Sequence, residues 1–159
     1  MLTREQFLPH EMRIVAALRM QGASDEQVIV RVKSENLFQY PTERMVANRA
    51  TVCLRRLDAM VPTDAACAAR GIDPKTAVEA ASSLTSLMAS GTPTQADQAI
   101  FYSMICRYDI VRELVLVEVG ERLQNFDYAF TAVDLNAFMT RFTTEYPDAA
   151  RWTEAAVKR

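Results

Sequence analysis

Apolar residues along the chain recur at three- and four-residue intervals rather than alternating, a pattern that predicts helices and no sheet. Pro9 opens the first run, with Met12, Val15, Ala16, Leu18 and Met20 at helical spacing, and Gly22 stands where a left-handed cap would end it. Ser24-Asp25-Glu26-Gln27 has the form of a capping box, in which the serine hydroxyl accepts from the third backbone N–H and Gln27 reaches back. The helix it opens turns Val28, Ile29 and Val32 inward and runs to about residue 34. Glu35-Asn36-Leu37-Phe38-Gln39-Tyr40-Pro41 breaks the period, either as a hydrophobic plug with Asn36 capping the helix before it or as a loop that sets the angle of the basic helix after it. Thr42 can then cap a third helix from 43 to about 60.

After Val61-Pro62 the composition changes. A short helix over 63–70 ends at Gly71, and Asp73-Pro74 supplies an N-cap and a first-turn proline for a helix to about residue 90. Gly91-Thr92-Pro93-Thr94 is the next break. From 95 to about 124 the pattern is helical again, divided near Tyr108-Asp109. Asp134 is placed to cap a helix carrying Leu135, Phe138 and Phe142 that ends before Pro147, and Trp152 leads into a last short one. Ten of the thirteen aromatic residues follow residue 100, which predicts a separate core of large side chains there. The expected architecture is all-α, in two small helical bundles. Residues 1–61 form a helix-turn-helix-like three-helix unit and residues 62–159 a C-terminal bundle.

Composition narrows the function classes. The chain has 159 residues, half of them hydrophobic, with four Gly and six Pro, which excludes disorder and a turn-built fold. The charged start MLTREQFLPHEMR lacks the apolar stretch of a secretory signal, and the most apolar segment, 110–119, is interrupted by Arg112, Glu113 and Glu118, so no membrane span is expected. Cys53, Cys67 and Cys106 are odd in number and include no CxxC pair, as expected of buried reduced thiols in a cytoplasmic protein.

No catalytic residue emerges. His10 is the only histidine and stands in the first turn of the first helix, with no base placed beside a Ser or Cys. The glycines at 22, 71, 91 and 120 make no phosphate-cradling loop, and no carboxylate cluster has metal-ligand spacing. An enzyme, a metal, a cofactor and a small-molecule substrate are therefore not expected.

Charge is the feature that singles out a surface. Residues 1–60 hold nine Lys+Arg against seven Asp+Glu, whereas residues 61–159 hold nine against thirteen. The basic excess concentrates in the third helix, where 44–56 contain four arginines and no acid. At about 100° per residue, Val46, Ala50, Cys53, Leu54 and Leu57 take one side, and Arg44, Asn48, Arg49, Thr51, Arg55 and Arg56 the other. Guanidinium forks match phosphate oxygens or a guanine edge, and Asn can pair with adenine, so this side is the candidate nucleic-acid-binding face. A solvated surface or a protein contact would use the same residues.

The order of these pieces resembles the BrxA family, the small helical proteins of bacterial BREX (bacteriophage exclusion) defence systems. The resemblance rests on Gly22-Ala23-Ser24-Asp25-Glu26-Gln27-Val28, Glu35-Asn36-Leu37-Phe38, and a third helix ending Arg55-Arg56-Leu57. It continues through Leu114-Val115-Leu116-Val117-Glu118-Val119, Asp134-Leu135-Asn136-Ala137-Phe138 and Trp152-Thr153. It implies a two-part all-α fold and a non-enzymatic subunit that binds double-stranded DNA alongside other BREX proteins, among them a methyltransferase. A likeness to the antitermination factor NusB keeps RNA as a rival ligand, and a helical adaptor that binds another defence protein without nucleic acid is the further alternative.

Overall fold

The computed structural model describes residues 7–147, which are all-α with no strand among them. In chain order the helices are α1 (Pro9–Met20), α2 (Asp25–Ser34), α3 (Glu43–Ala59), α4 (Asp64–Arg70), α5 (Pro74–Ser90) and α6 (Pro93–Arg107). α7 (Asp109–Arg112) then runs without a break through a π-helical stretch (Glu113–Val119) into α8 (Gly120–Gln124), and α9 (Ala132–Glu145) follows. The last short helix expected around Trp152 lies outside the described residues.

Local chemistry sets the ends of these helices. Ser24 accepts from the Gln27 N–H while the Gln27 side chain accepts from Ser24 N–H, the reciprocal pair expected of that motif. Thr42, Thr63 and Asp73 cap α3, α4 and α5 in the same way with their side-chain oxygens. At the far ends, α1 closes with Gly22 at φ 85° and paired backbone bonds, Gly22 N–H to Arg19 O and Ala23 N–H to Leu18 O. α2 closes identically, with Asn36 in the left-handed position that a glycine would usually take. Two starts differ from expectation. Thr92 and Gln95 exchange bonds so that α6 begins at Pro93, and α9 is capped by Thr131, with Asp134 in the third position answering it. In both places a Thr three residues before the partner outranks the residue chosen from sequence.

The described residues divide into two compact units, Phe7–Arg107 and 108–147. The joint expected at 61/62 falls inside the first unit. The composition does change there, but α5 packs along α1, and α6 against both α1 and α3, so Ala81, Met88, Ala99 and Ile100 share one core with Met12, Val15, Val46 and Cys53. The divide comes instead at the break between α6 and α7, which the helical pattern had placed near Tyr108-Asp109.

Among the described residues of the second unit, Phe138 and Phe142 of α9 form the buried centre, against Ile110, Leu114 and Met139. Tyr146 stacks on Phe142 with ring centroids 4.5 Å apart. The large aromatic core predicted from composition is smaller than expected, because Phe126 and Tyr128 are 79% and 73% exposed and Phe101, Tyr102 and Phe130 are exposed as well. The π-helical stretch explains itself poorly by periodicity: Leu114-Val115-Leu116-Val117 is apolar on every side, so nothing in the pattern selects an α over a π repeat.

Gly91 ends α5 in extended backbone, and a Cβ there would lie 2.5 Å from the Leu87 carbonyl oxygen and 3.3 Å from Gln95 Cβ. Gly91→Ala is expected to cost about 1–3 kcal/mol, because the atom it meets first is backbone. Urea denaturation followed by circular dichroism measures this directly, and an unchanged midpoint would contradict the close approach.

Candidate nucleic-acid interface

α3 is amphipathic in the way its sequence requires: Val46, Ala50, Cys53, Leu54 and Leu57 are buried in the first unit's core. On its outer flank Arg44, Asn48 and Arg55 are exposed, with Thr51 half-buried between them. These four follow one another at four-, three- and four-residue steps and so share a narrow stripe. The Thr51 hydroxyl donates to Ala47 O at 2.9 Å, which leaves it lone pairs but no free proton for a phosphate. Arg44 and Arg55 make no ion pair with a described residue. They stand eleven residues apart, about 16 Å along the axis.

The other two arginines point elsewhere. Arg56 is wholly buried, and its Nη1 donates to Phe7 O at 3.1 Å. It lies about 120° round the helix from Arg44, on the same flank as Arg49, one heptad earlier. Counting every cation as outward-facing was therefore too generous an arc, and Arg56 leaves the candidate face. Arg49 is half-buried on that flank, where its charge acts on Tyr40 and Cys53.

Beneath α3 these side chains meet a carboxylate. Glu11 of α1 is buried and accepts a short hydrogen bond from the Tyr40 hydroxyl. That bond, followed by burial, raises the Tyr40 pKa above its ordinary value. Burial pushes the Cys53 thiol up to about 12, with the Arg56 guanidinium opposing the shift and the Glu11 carboxylate adding to it. Glu11, Tyr40, Arg49, Cys53 and Arg56 thus form a polar cluster joining α1, the segment 35–42 and α3. The segment is itself braced, because the Asn36 side chain donates to Tyr40 O at 3.1 Å and accepts from Tyr40 N–H at 3.2 Å while Phe38 is buried as a plug. Sequence reasoning missed Glu11 and Tyr40. One signal was available: Glu11 stands four and seven residues before Val15 and Leu18, on the stripe that faces the core.

Acids beside the exposed stripe are occupied by other cations. Glu43 pairs with Lys33 at 3.2 Å, and Asp58 with Arg19 at 3.2 Å. Burial, with the nearby Asp25 charge, raises the Asp58 pKa. Arg31 pairs with Glu35, so the cations of α2 are drawn to their own neighbours while those of the α3 stripe are not. Among the described residues no group of three or more His, Cys, Asp or Glu side chains could hold a metal, and His10 is exposed. An open groove of about 260 Å³ between α1, α3 and α5 is lined by Met20, Leu57, Val61 and Val78, together with the paired Arg19 and Asp58. No described helix is long and apolar enough to cross a membrane.

A family model described as BrxA matches residues 1–159, the whole chain. No curated protein and no solved structure matches it.

The division between buried and exposed arginines predicts unequal effects on stability. Arg56→Ala should cost about 2–4 kcal/mol, since it removes a buried stem and strands the groups around it, whereas Arg44→Ala and Arg55→Ala should each stay within about 0.5 kcal/mol. Chemical denaturation of the three variants measures the contrast. The raised Tyr40 and Cys53 have a pH signature of a definite sign. Both are acids held protonated in the fold: the Cys53 contribution is intact below pH 9, the ordinary thiol value, and is lost as pH climbs toward 12, while that of Tyr40 is intact below pH 10 and is lost as pH rises above it. Cys53→Ala should flatten that alkaline decline in thermal unfolding midpoint.

Proposed function

The chain belongs to the BrxA family of BREX phage-defence proteins, and from that premise we propose that it is a non-enzymatic cytoplasmic subunit that contacts duplex DNA through α3. The observation that carries this reading is the exposed stripe Arg44, Asn48, Thr51 and Arg55, whose two guanidinium groups have no carboxylate partner among the described residues. Their separation of about 16 Å along the helix exceeds the roughly 12 Å width of a major groove, so the pair can reach phosphates on both sides of it. Asn48, between them, faces outward where a base edge would lie. Arg49, half-buried about 140° round the helix from Arg44, can add its charge to the field without leaving its cluster.

The helix-turn-helix comparison applies to α1–α3 as a whole, with α3 in the position of the helix that enters the groove. Its joint with α2 is the eight-residue segment 35–42 rather than a three- or four-residue turn, and rigidity comes from Asn36 and the Phe38 plug. RNA is less well suited, because an A-form major groove is too narrow and deep for a helix and the stripe offers no stacking aromatic. Other BREX proteins are the expected companions of the DNA-bound subunit.

The double charge reversal Arg44→Glu/Arg55→Glu should abolish duplex binding in a fluorescence anisotropy titration at low salt, equally for unrelated sequences. Each phosphate contact removed should flatten the log K against log salt slope by about 0.9. An unchanged isotherm, or a preference for single-stranded RNA at equal ionic strength, would overturn the assignment.

A further inference from the structure

The segment between α8 and α9 displays Phe126, Tyr128 and Phe130 to solvent, with Leu123 and Val133 exposed at either side. Single exposed apolar residues are ordinary, but this many within eleven positions are not. The segment is also held firmly. The Arg122 guanidinium donates to Asp127 at 2.7 Å, to the Ala129 carbonyl at 2.8 Å and to Asp134 at 2.7 Å, and lies over the Phe130 ring at 5.5 Å. Asp127 accepts from the Ala129 N–H, and the Thr131–Asp134 capping box closes the far end. Phe126 itself sits at φ 57°, a left-handed backbone that costs an aromatic residue about 1–2 kcal/mol, yet the residue stays 79% exposed. A strained, stapled loop that keeps three aromatic rings in water is organised for something that covers them.

Charge identifies what that is. Residues 108–147 carry seven acids and three arginines. All three arginines are spent internally: Arg112 on Asp109, Arg122 on Asp127 and Asp134, Arg141 on Glu118. Glu121 and Glu145 remain exposed with no ion-pair partner among the described residues. Beside the loop itself Glu121, Asp127 and Asp134 outnumber Arg122, so phosphates are repelled and base stacking is disfavoured even though the rings could provide it. A symmetric pairing of two copies through this loop would bring like charges together. We propose that the 125–131 loop is a docking surface for a segment of another protein that carries apolar residues flanked by Lys and Arg, with Phe126 and Tyr128 as its anchors. This inference does not depend on DNA contact through α3, and it gives the subunit a second, chemically opposite face.

The test uses the full-length protein and short overlapping peptides tiled across the other proteins encoded in the same defence system. The variant is Phe126→Gly/Tyr128→Ser, in which glycine suits the left-handed backbone and every charge is retained. Wild type should bind a few peptides in which apolar residues alternate with Lys or Arg, and the variant should bind them about tenfold more weakly or worse. Arg44→Glu/Arg55→Glu should bind the same peptides as wild type, which separates this surface from the DNA reading. The proposal is overturned if no peptide is retained, if those retained are acidic, or if the double variant retains them equally. It is overturned also if the variant instead loses single-stranded nucleic acid binding, or loses a self-association seen in sedimentation of the wild type.

Discussion

A cation without water organises the first unit. Burying a guanidinium is unfavourable unless its donors are satisfied, and Arg56 meets that demand by reaching the chain just before α1, among groups that include Glu11. The arrangement fixes the angle between α1 and α3 more narrowly than apolar packing alone, because hydrogen bonds have direction and methylene contacts do not. It also draws Tyr40, and with it the whole 35–42 segment, against α1 through the bond to Glu11. The outward stripe of α3 therefore inherits its orientation from a polar cluster on the other side of the same helix. That links a core residue to a surface property: which arginines face solvent is decided by which one the interior needs.

The helix boundaries were legible because each is written locally. A Ser, Thr or Asp, a proline one place later, or a left-handed glycine specifies an end within four residues, and Pro9, Ser24, Thr42, Asp73, Gly22 and Gly71 all serve as read, while Thr63, read as the first residue of its helix, is its cap. The core face of α3 was legible for the same reason, being a single period over seventeen residues. What escaped the sequence is long-range. The division of the chain depends on α5 lying along α1, and no composition change at 61/62 reports a contact made by residues many tens of positions away. The surplus of aromatics after residue 100 was real, but number alone does not say which rings find partners, and among the described residues only Phe138 and Phe142 became core.

The candidate site was half legible. Arg44, Asn48 and Arg55 stand on the exposed stripe as the wheel placed them, and Thr51 lies there with its hydroxyl turned to Ala47. Arg56 did not follow, since a helical wheel carries angles but not neighbours, and the neighbour that claims Arg56 comes from residue 7. The aromatic loop gave no signal beyond its composition. Its exposure follows from Arg122, whose three acceptors are five, seven and twelve residues ahead and could not be assigned from spacing. Spare positive groups thus stand on α3 of the first unit, and the carboxylate of Glu121 is a spare negative group just before the aromatic loop of the second.

The π-helical stretch at Glu113–Val119 carries a constraint on length rather than on composition. Its closing bond runs from Gly120 N–H to Val115 O, five residues back, so each such turn holds one more residue than an α-turn would. Deleting a single residue there would have to be met either by a return to ordinary winding or by a swing of everything beyond it by about 100° relative to what precedes it. In the latter case Phe138 and Phe142 would be carried away from Ile110 and Leu114, and the second unit's buried centre would come apart. Hydrophobic exchanges within the stretch should be absorbed easily, whereas a change of one codon in its length would not.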